Sequence, residues 1–305
     1  MPEWNPVTAA AEAKKNAIII EFGVPKSGKT KLGTDTKLDL YIAHLDPNDN
    51  LNEHLLARHE KYPDAYTEQP LWIPPTPYRM LTREIAQQYV EKVEAYAAAA
   101  RARAANTGRP GLFFLDGGKR LKGYVEKWKL GESSTLGFRA QAGNTGPIQI
   151  QYAESNAYFN DIINAFVGSS LHVVVSFEAR EVWVPTVDDR GRTTRKPSGK
   201  YEPKMSSGKE NEISYTVNAL IETLVEAEKG AVVDNRQMWN YVHKIRFEYL
   251  GFVGMSHLRN RTMPSPSFDE LLDLLHSNIP AETVLDTPHE IVRMDMSGVE
   301  SGEEE

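Results

Sequence analysis

The chain has 305 residues, with 35 Lys plus Arg against 42 Asp plus Glu and no cysteine. Forty per cent hydrophobic and 25% charged residues is a globular composition, which excludes wholesale disorder and allows two domains or one large α/β domain with an appendage. The missing cysteines exclude thiol catalysis, disulfides and cysteine-ligated zinc or iron–sulfur centres.

The net charge of −7 is unevenly spread. From Asp286 to Glu305 seven acids face one base, Arg293, a net of −6, so the other 285 residues carry only −1. Arg190 to Lys209 holds seven bases and one acid, Glu202, a net of +6. Tail and basic segment nearly cancel, and the average says little about partners. The start, Met1-Pro-Glu-Trp-Asn-Pro, has neither a basic n-region nor an apolar h-region, and Ala17–Phe22 is among the longest apolar runs. A cytoplasmic protein with no membrane segment is expected.

Asn16–Phe22 is a short apolar run that reads as a buried strand entering a glycine turn at Gly23. Leu38–Leu45 is a second strand, ending at Asp46-Pro47-Asn48-Asp49, and Leu71–Ile73 a short third. Thr82–Asn106, rich in Ala, Glu, Lys and Arg, predicts a long helix. Gly111–Leu115 is a strand closed by Asp116-Gly117-Gly118, and Tyr152–Val167 has helical spacing. Leu171–Phe177 is a β-branched strand, and Asp188–Lys209 reads as a polar loop. Ile213–Val225 is a strand or helix, Lys244–Phe252 a strand, Ser256–Phe268 a linker and Phe268–Ser277 a short helix. Strands alternating with helices predict a mainly parallel sheet with crossover helices.

The strongest motif is Gly23-Val24-Pro25-Lys26-Ser27-Gly28-Lys29-Thr30, a full match to G-x-x-x-x-G-K-[ST]. Gly23 and Gly28 let the backbone wrap so that successive N–H groups face phosphate oxygens. Lys29 reaches the β- and γ-phosphates of a nucleotide, and the Thr30 hydroxyl ligates Mg²⁺. A helix opening at Lys31–Thr36 would turn its positive end to the same phosphates. Asp116, at the end of an apolar strand, suits the second carboxylate that supports magnesium; its alternative role is to cap the turn before Gly117.

This order of a strand, phosphate loop, acid at Asp46, aspartate-ended strand at Asp116 and strand Leu171–Arg180 before a basic segment resembles RecA. More closely it resembles phage-encoded RecA-like AAA-type ATPases linked to single-strand annealing and recombination. The resemblance covers approximately residues 16–225. It implies a three-layer RecA-like P-loop NTPase domain with a mainly parallel sheet, using ATP and Mg²⁺, and the C-terminal extension that follows has no counterpart in it. The expected divisions are an N-terminal arm (1–14), the ATPase domain (15–230), the extension (231–285) and a disordered acidic tail (286–305).

The same resemblance places a catalytic carboxylate at Asp46, one methylene shorter than the family's glutamate, or at Glu178, with Arg180 as a charge-stabilising arginine. Capping of the Pro47 turn and a surface ion pair are the alternatives for Asp46 and Arg180. It also makes the segment after the sensor strand a DNA-binding loop, carried here by Arg190, Arg192, Arg195, Lys196, Lys200 and Lys204 with Trp183 and Tyr201 beside them. Single-stranded DNA and further copies of the chain are the expected partners, in the host cytoplasm if the chain is phage-encoded. Two rival functions stay open: a nucleotide-dependent assembly module with little turnover, and a small-molecule kinase. The eight histidines show no metal-ligand spacing, and Lys119, Arg120 and Lys122 read as a solvated helix face.

Overall fold

A computed structural model describes residues 16–46, 50–130, 149–187, 192–203, 217–233, 236–251, 258–264 and 266–276. The N-terminal arm and the acidic tail expected above lie outside these residues. Ile18–Gly23 (β1) leads through the glycine turn into Lys29–Thr34 (α1). Asp39–His44 (β2), Leu51–Lys61 (α2), Leu71–Trp72 (β3), Arg83–Thr107 (α3) and Gly111–Asp116 (β4) follow. Then come Gly118–Leu130 (α4), Gln149–Asn164 (α5), Leu171–Val187 (β5), Thr193–Pro203 (β6) and Ala219–Val233 (β7). Arg236–Leu250 (β8), Thr262–Pro264 (β9) and Phe268–His276 (α6) complete the described chain.

The strands form one sheet in the order β3-β2-β4-β5-β1-β7-β8-β9, with β6 paired to β5 alone. From β3 to β7 every pairing is parallel; β6, β8 and β9 join antiparallel. Strand alternation divides the core into two layers. Ile18, Ile20 and Phe22 of β1 face α3, α4 and α5 through residues such as Val90, Ala97, Leu121 and Phe159. Ala17 and Ile19 face the other way, onto Leu32 of α1, Leu51 of α2 and Leu271 and Leu275 of α6. The result is the three-layer RecA-like α/β class that the sequence predicts.

The long helix is explained by its own residues. Ala86, Val90, Val93, Ala97, Ala100 and Ala104 form one buried stripe at spacings of three and four. Thr82 caps its start by accepting from the Ile85 N–H at 3.2 Å, and Gly108 ends it in the left-handed region at φ 63°. The helix α2 is absent from the sequence reading because its start looks like a turn, and α4 enters it only as a solvated face at Lys119, Arg120 and Lys122, of which Lys122 is instead buried.

Within the segment expected as a polar loop over Asp188–Lys209, Thr193–Pro203 is instead one strand of a β-ribbon, and residues 188–191 and 204–209 lie outside the described residues. The strand β5 continues past Phe177 to Val187 and pairs with β6, bringing Pro185 opposite Arg195 and Val187 opposite Thr193. Val184, Thr186, Thr193 and Thr194 supply the β-branched residues for this pairing. Both faces of the ribbon are largely exposed, so no apolar alternation marks it in sequence. The linker expected over Ser256–Phe268 contains β9, which extends the same sheet beside β8.

At the foot of β5, His172 is buried and its Nδ1 accepts the Ala17 N–H at 3.0 Å, which requires that nitrogen to be unprotonated. Burial, reinforced by His276, lowers its pKa to about 4. A folded pKa below the unfolded value means full stability above about pH 6.5, lost as the pH falls toward 4. The loss amounts to about 3 kcal/mol. A His172→Asn variant, whose amide oxygen replaces Nδ1 as acceptor, is expected to escape that loss in urea unfolding at pH 7 and pH 4. Equal pH dependence in both proteins would contradict the assignment.

Candidate functional site

The parallel strands end at one edge, and there the turn Gly23–Thr30 folds back on itself. The Ser27 N–H donates to the Val24 carbonyl at 3.2 Å, and Gly28 takes φ 98°. Glycine is required at Gly23 by crowding: a Cβ there would lie 2.2 Å from Thr223 Oγ1 and 2.3 Å from Ser27 Oγ. Those two hydroxyls are themselves hydrogen-bonded at 2.6 Å, and Thr223 also donates to the Phe22 carbonyl at 3.3 Å. His243 on β8 closes the outer side, its Nδ1–H donating to the Ser27 carbonyl at 3.2 Å. The loop is thus braced from β7 and β8, two strands to which the sequence reading gave no site role.

Lys29 Nζ donates to the Gly23 and Val24 carbonyls, at 3.0 Å each, and so spans the loop. Burial pulls its ammonium below the ordinary value, opposed by the negative charges of Glu21, Asp116, Asp46 and Glu178. Thr30 follows at half-buried depth, and α1 runs only six residues. So short a helix adds little dipole, and the groups that could hold an anion here are the loop amides.

The edge carries a row that only strand register reveals. His44 on β2 pairs with Asp116 on β4, Asp116 with Ser176 on β5, and Ser176 with Glu21 on β1. All four are buried and, by alternation, point to the α1 side of the sheet. His44 Nδ1–H donates to Asp116 Oδ2 at 2.9 Å, fixing the aspartate's orientation. The sequence reading left His44 among eight histidines without metal-ligand spacing and did not single out Glu21 at all.

Beside Lys29 opens a cavity of about 550 Å³, lined by Asp46, Ser176, Glu178, Lys119 and Arg120 as well as by Pro75, Leu81, Tyr124 and Phe177. The structure therefore brings Lys29, Asp46 and Glu178 together. Glu178 forms an ion pair with Lys119 at 2.9 Å. Arg180 lies outside the cavity lining, paired with Glu202 of the ribbon at 2.6 Å.

On the ribbon, Arg192, Arg195, Lys196 and Lys200 are exposed, while Arg190 and Lys204 lie outside the described residues. Trp183 is 55% exposed and shares a face with Pro185 and Arg195. Tyr201 instead packs against the core at the ribbon's base. Among the described residues no group of three or more His, Asp or Glu forms a ready metal cluster, and no helix is long and apolar enough to cross a membrane.

No family model matches this chain, and no curated protein matches it in sequence. Among solved structures it is similar to an ATPase from the type III secretion system of pathogenic bacteria, at 11% identity and a TM-score of 0.36. That match covers 68% of this chain and 52% of the ATPase, so this chain spans about half of its length. A second likeness is an uncharacterized protein from Pyrococcus horikoshii, solved with an unknown peptide. It has 12% identity and a TM-score of 0.34, over 76% of this chain and 83% of that one. Both likenesses are remote, and the fold rests on strand order and register.

Proposed function

We propose that this chain binds ATP with Mg²⁺ at Gly23–Thr30, hydrolyses it, and couples the reaction to single-stranded DNA held by the β5–β6 ribbon. The observation that supports this most is the Gly23–Thr30 loop itself, spanned by Lys29 and set at the sheet edge that also carries Asp116. The residues suit magnesium: the Thr30 hydroxyl and the Asp116 carboxylate are hard oxygen donors, and few protein ligands are needed because phosphate oxygens and water complete the shell. When bound, Mg²⁺ neutralises charge that develops on the phosphate oxygens.

The chain's own part is to position and to balance charge. The loop amides and Lys29 hold the phosphates, with Lys29 exchanging its two carbonyl partners for phosphate oxygens. Asp46 and Glu178, which both line the cavity beside Lys29, are the acids placed to orient the attacking water. Arg120, also in the lining, is a nearer cation for transition-state charge than Arg180.

The ribbon joins the site directly to a nucleic-acid surface. Glu178 and Arg180 belong to the same strand as Trp183, so β5 runs unbroken from cavity to ribbon. Basic side chains contact phosphates and an exposed Trp183 stacks on a base. Replacing Arg192, Arg195, Lys196 and Lys200 together by alanine is expected to weaken single-stranded DNA binding at least about tenfold at low salt and to flatten its salt dependence. Fluorescence anisotropy across a salt series measures both, and unchanged affinity would remove the ribbon from the account.

The size of the cavity favours a second reading, phosphoryl transfer to a small acceptor, since a water fills only about 30 Å³. Phosphate release, assayed with and without single-stranded DNA, separates the two. DNA-stimulated release without an added acceptor supports hydrolysis; release or transfer only with an added metabolite supports the second reading.

A further inference from the structure

The mechanism above leaves one buried charge in the polar row unused. Glu21 is 0% exposed, and neither of its carboxylate oxygens has a hydrogen-bond partner. Such a group is expensive in a folded core, where a leucine of similar size costs nothing of the kind. Its neighbours on the same face, Ile19 and Val174, show that the layer otherwise accepts plain aliphatic side chains. Burial pushes the Glu21 carboxyl well above the usual carboxylate range, and the charges that act on it are Lys29 and Asp116.

Its direction is set by the backbone. Ile20 and Phe22 enter the α3–α5 layer, so Glu21 projects to the opposite side, beneath the phosphate loop and α1. Asp116 lies two strands away in the same register row, about 10 Å between Cα atoms at ordinary strand spacing. Between them stands only Ser176, whose short side chain also lines the cavity that opens at Lys29. Glu21, Ser176 and Asp116 thus set two carboxyls and a hydroxyl in one row on the face beneath the phosphate loop. Such an oxygen-rich row suits a divalent cation that keeps several of its waters, as magnesium does.

We propose that Glu21 is a positioning residue for the divalent cation, accepting hydrogen bonds from cation-bound water on the side opposite Asp116. The proposal rests on the nucleotide reading of the site and extends its cation seat from β4 to β1. Glu21 touches no reacting atom; it acts through the water shell that it orients.

Mn²⁺ affinity in the presence of saturating ADP, followed by electron paramagnetic resonance, tests it on wild type, Glu21→Gln, Glu21→Leu and Asp116→Asn. Both Glu21 variants are expected to weaken Mn²⁺ binding about tenfold or more, the usual consequence of losing an outer-shell partner. Glu21→Leu is expected also to raise the melting temperature of the metal-free protein, by removing the orphaned carboxyl. Wild-type Mn²⁺ affinity in both Glu21 variants, with Asp116→Asn weakened, overturns the role of Glu21 alone. If Asp116→Asn is also without effect, the nucleotide reading falls with it.

Discussion

A Lys29→Ala variant is expected to lose ATP turnover by about 100-fold or more while keeping the wild-type fold. The ammonium is the positive charge nearest the loop's interior, and four acids surround it: Glu21, Asp116, Asp46 and Glu178 all act on it. Without it the acids at this edge face the entering phosphate with one cation fewer, so both nucleotide affinity and transition-state stabilisation suffer. The lost contacts in the resting protein are two hydrogen bonds to the Gly23 and Val24 carbonyls, at a part-buried position that water can reach. Far-ultraviolet circular dichroism is therefore expected to be unchanged. Phosphate release by the variant at the wild-type rate would show that turnover occurs elsewhere.

The largest effect on stability is expected from Arg58→Ala. Arg58 is 3% exposed, and its guanidinium ties α2 to the sheet through four acceptors. It donates to the Thr36 carbonyl at 2.9 Å, the Leu38 carbonyl at 2.6 Å, the Tyr66 carbonyl at 3.2 Å and the Thr67 hydroxyl. These acceptors lie on the chain entering β2 and on the segment before β3, so one side chain fastens the whole β2-α2-β3 crossover. Truncation strands several buried carbonyls and is expected to cost about 3–5 kcal/mol. For a chain of this size that is a fall of roughly 10 °C in melting temperature. Lysine cannot replace the planar fork, and Arg58→Lys is expected to recover less than half of the loss. A cost below about 1 kcal/mol for Arg58→Ala would contradict the staple.

Arg58 also illustrates what was not legible in advance. A lone arginine among His, Glu and Lys in Ala57–Lys61 reads as surface, and nothing local signals that its acceptors come from residues 36–38 and 66–67. By contrast, the phosphate loop is legible because its chemistry is written within eight consecutive residues, whose order alone fixes what they can hold. The apolar strands Ile18–Gly23 and Gly111–Asp116 are legible because strands buried on both faces need continuous apolar runs.

The row from His44 to Glu21 draws one residue from each of four strands, and becomes visible only when register aligns them. Within its own segment Glu21 is simply an acid ending an apolar run. The ribbon escaped for a different reason: a two-stranded β arm exposed on both faces has no core to impose alternation, so its charges dominate the reading. Its aromatic residues divide accordingly, Trp183 outward and Tyr201 onto the core, a distinction that composition does not contain.

The central claim is that one loop, Gly23–Thr30, holds the phosphates of a magnesium nucleotide. Amide hydrogen exchange of the full chain, with and without Mg²⁺ and a non-hydrolysable ATP analogue, tests it most directly. The account predicts slowed exchange at Gly23–Thr30 and at the end of β4 around Asp116, and loss of that protection in Lys29→Ala. Protection that appears elsewhere and leaves Gly23–Thr30 unchanged would contradict it.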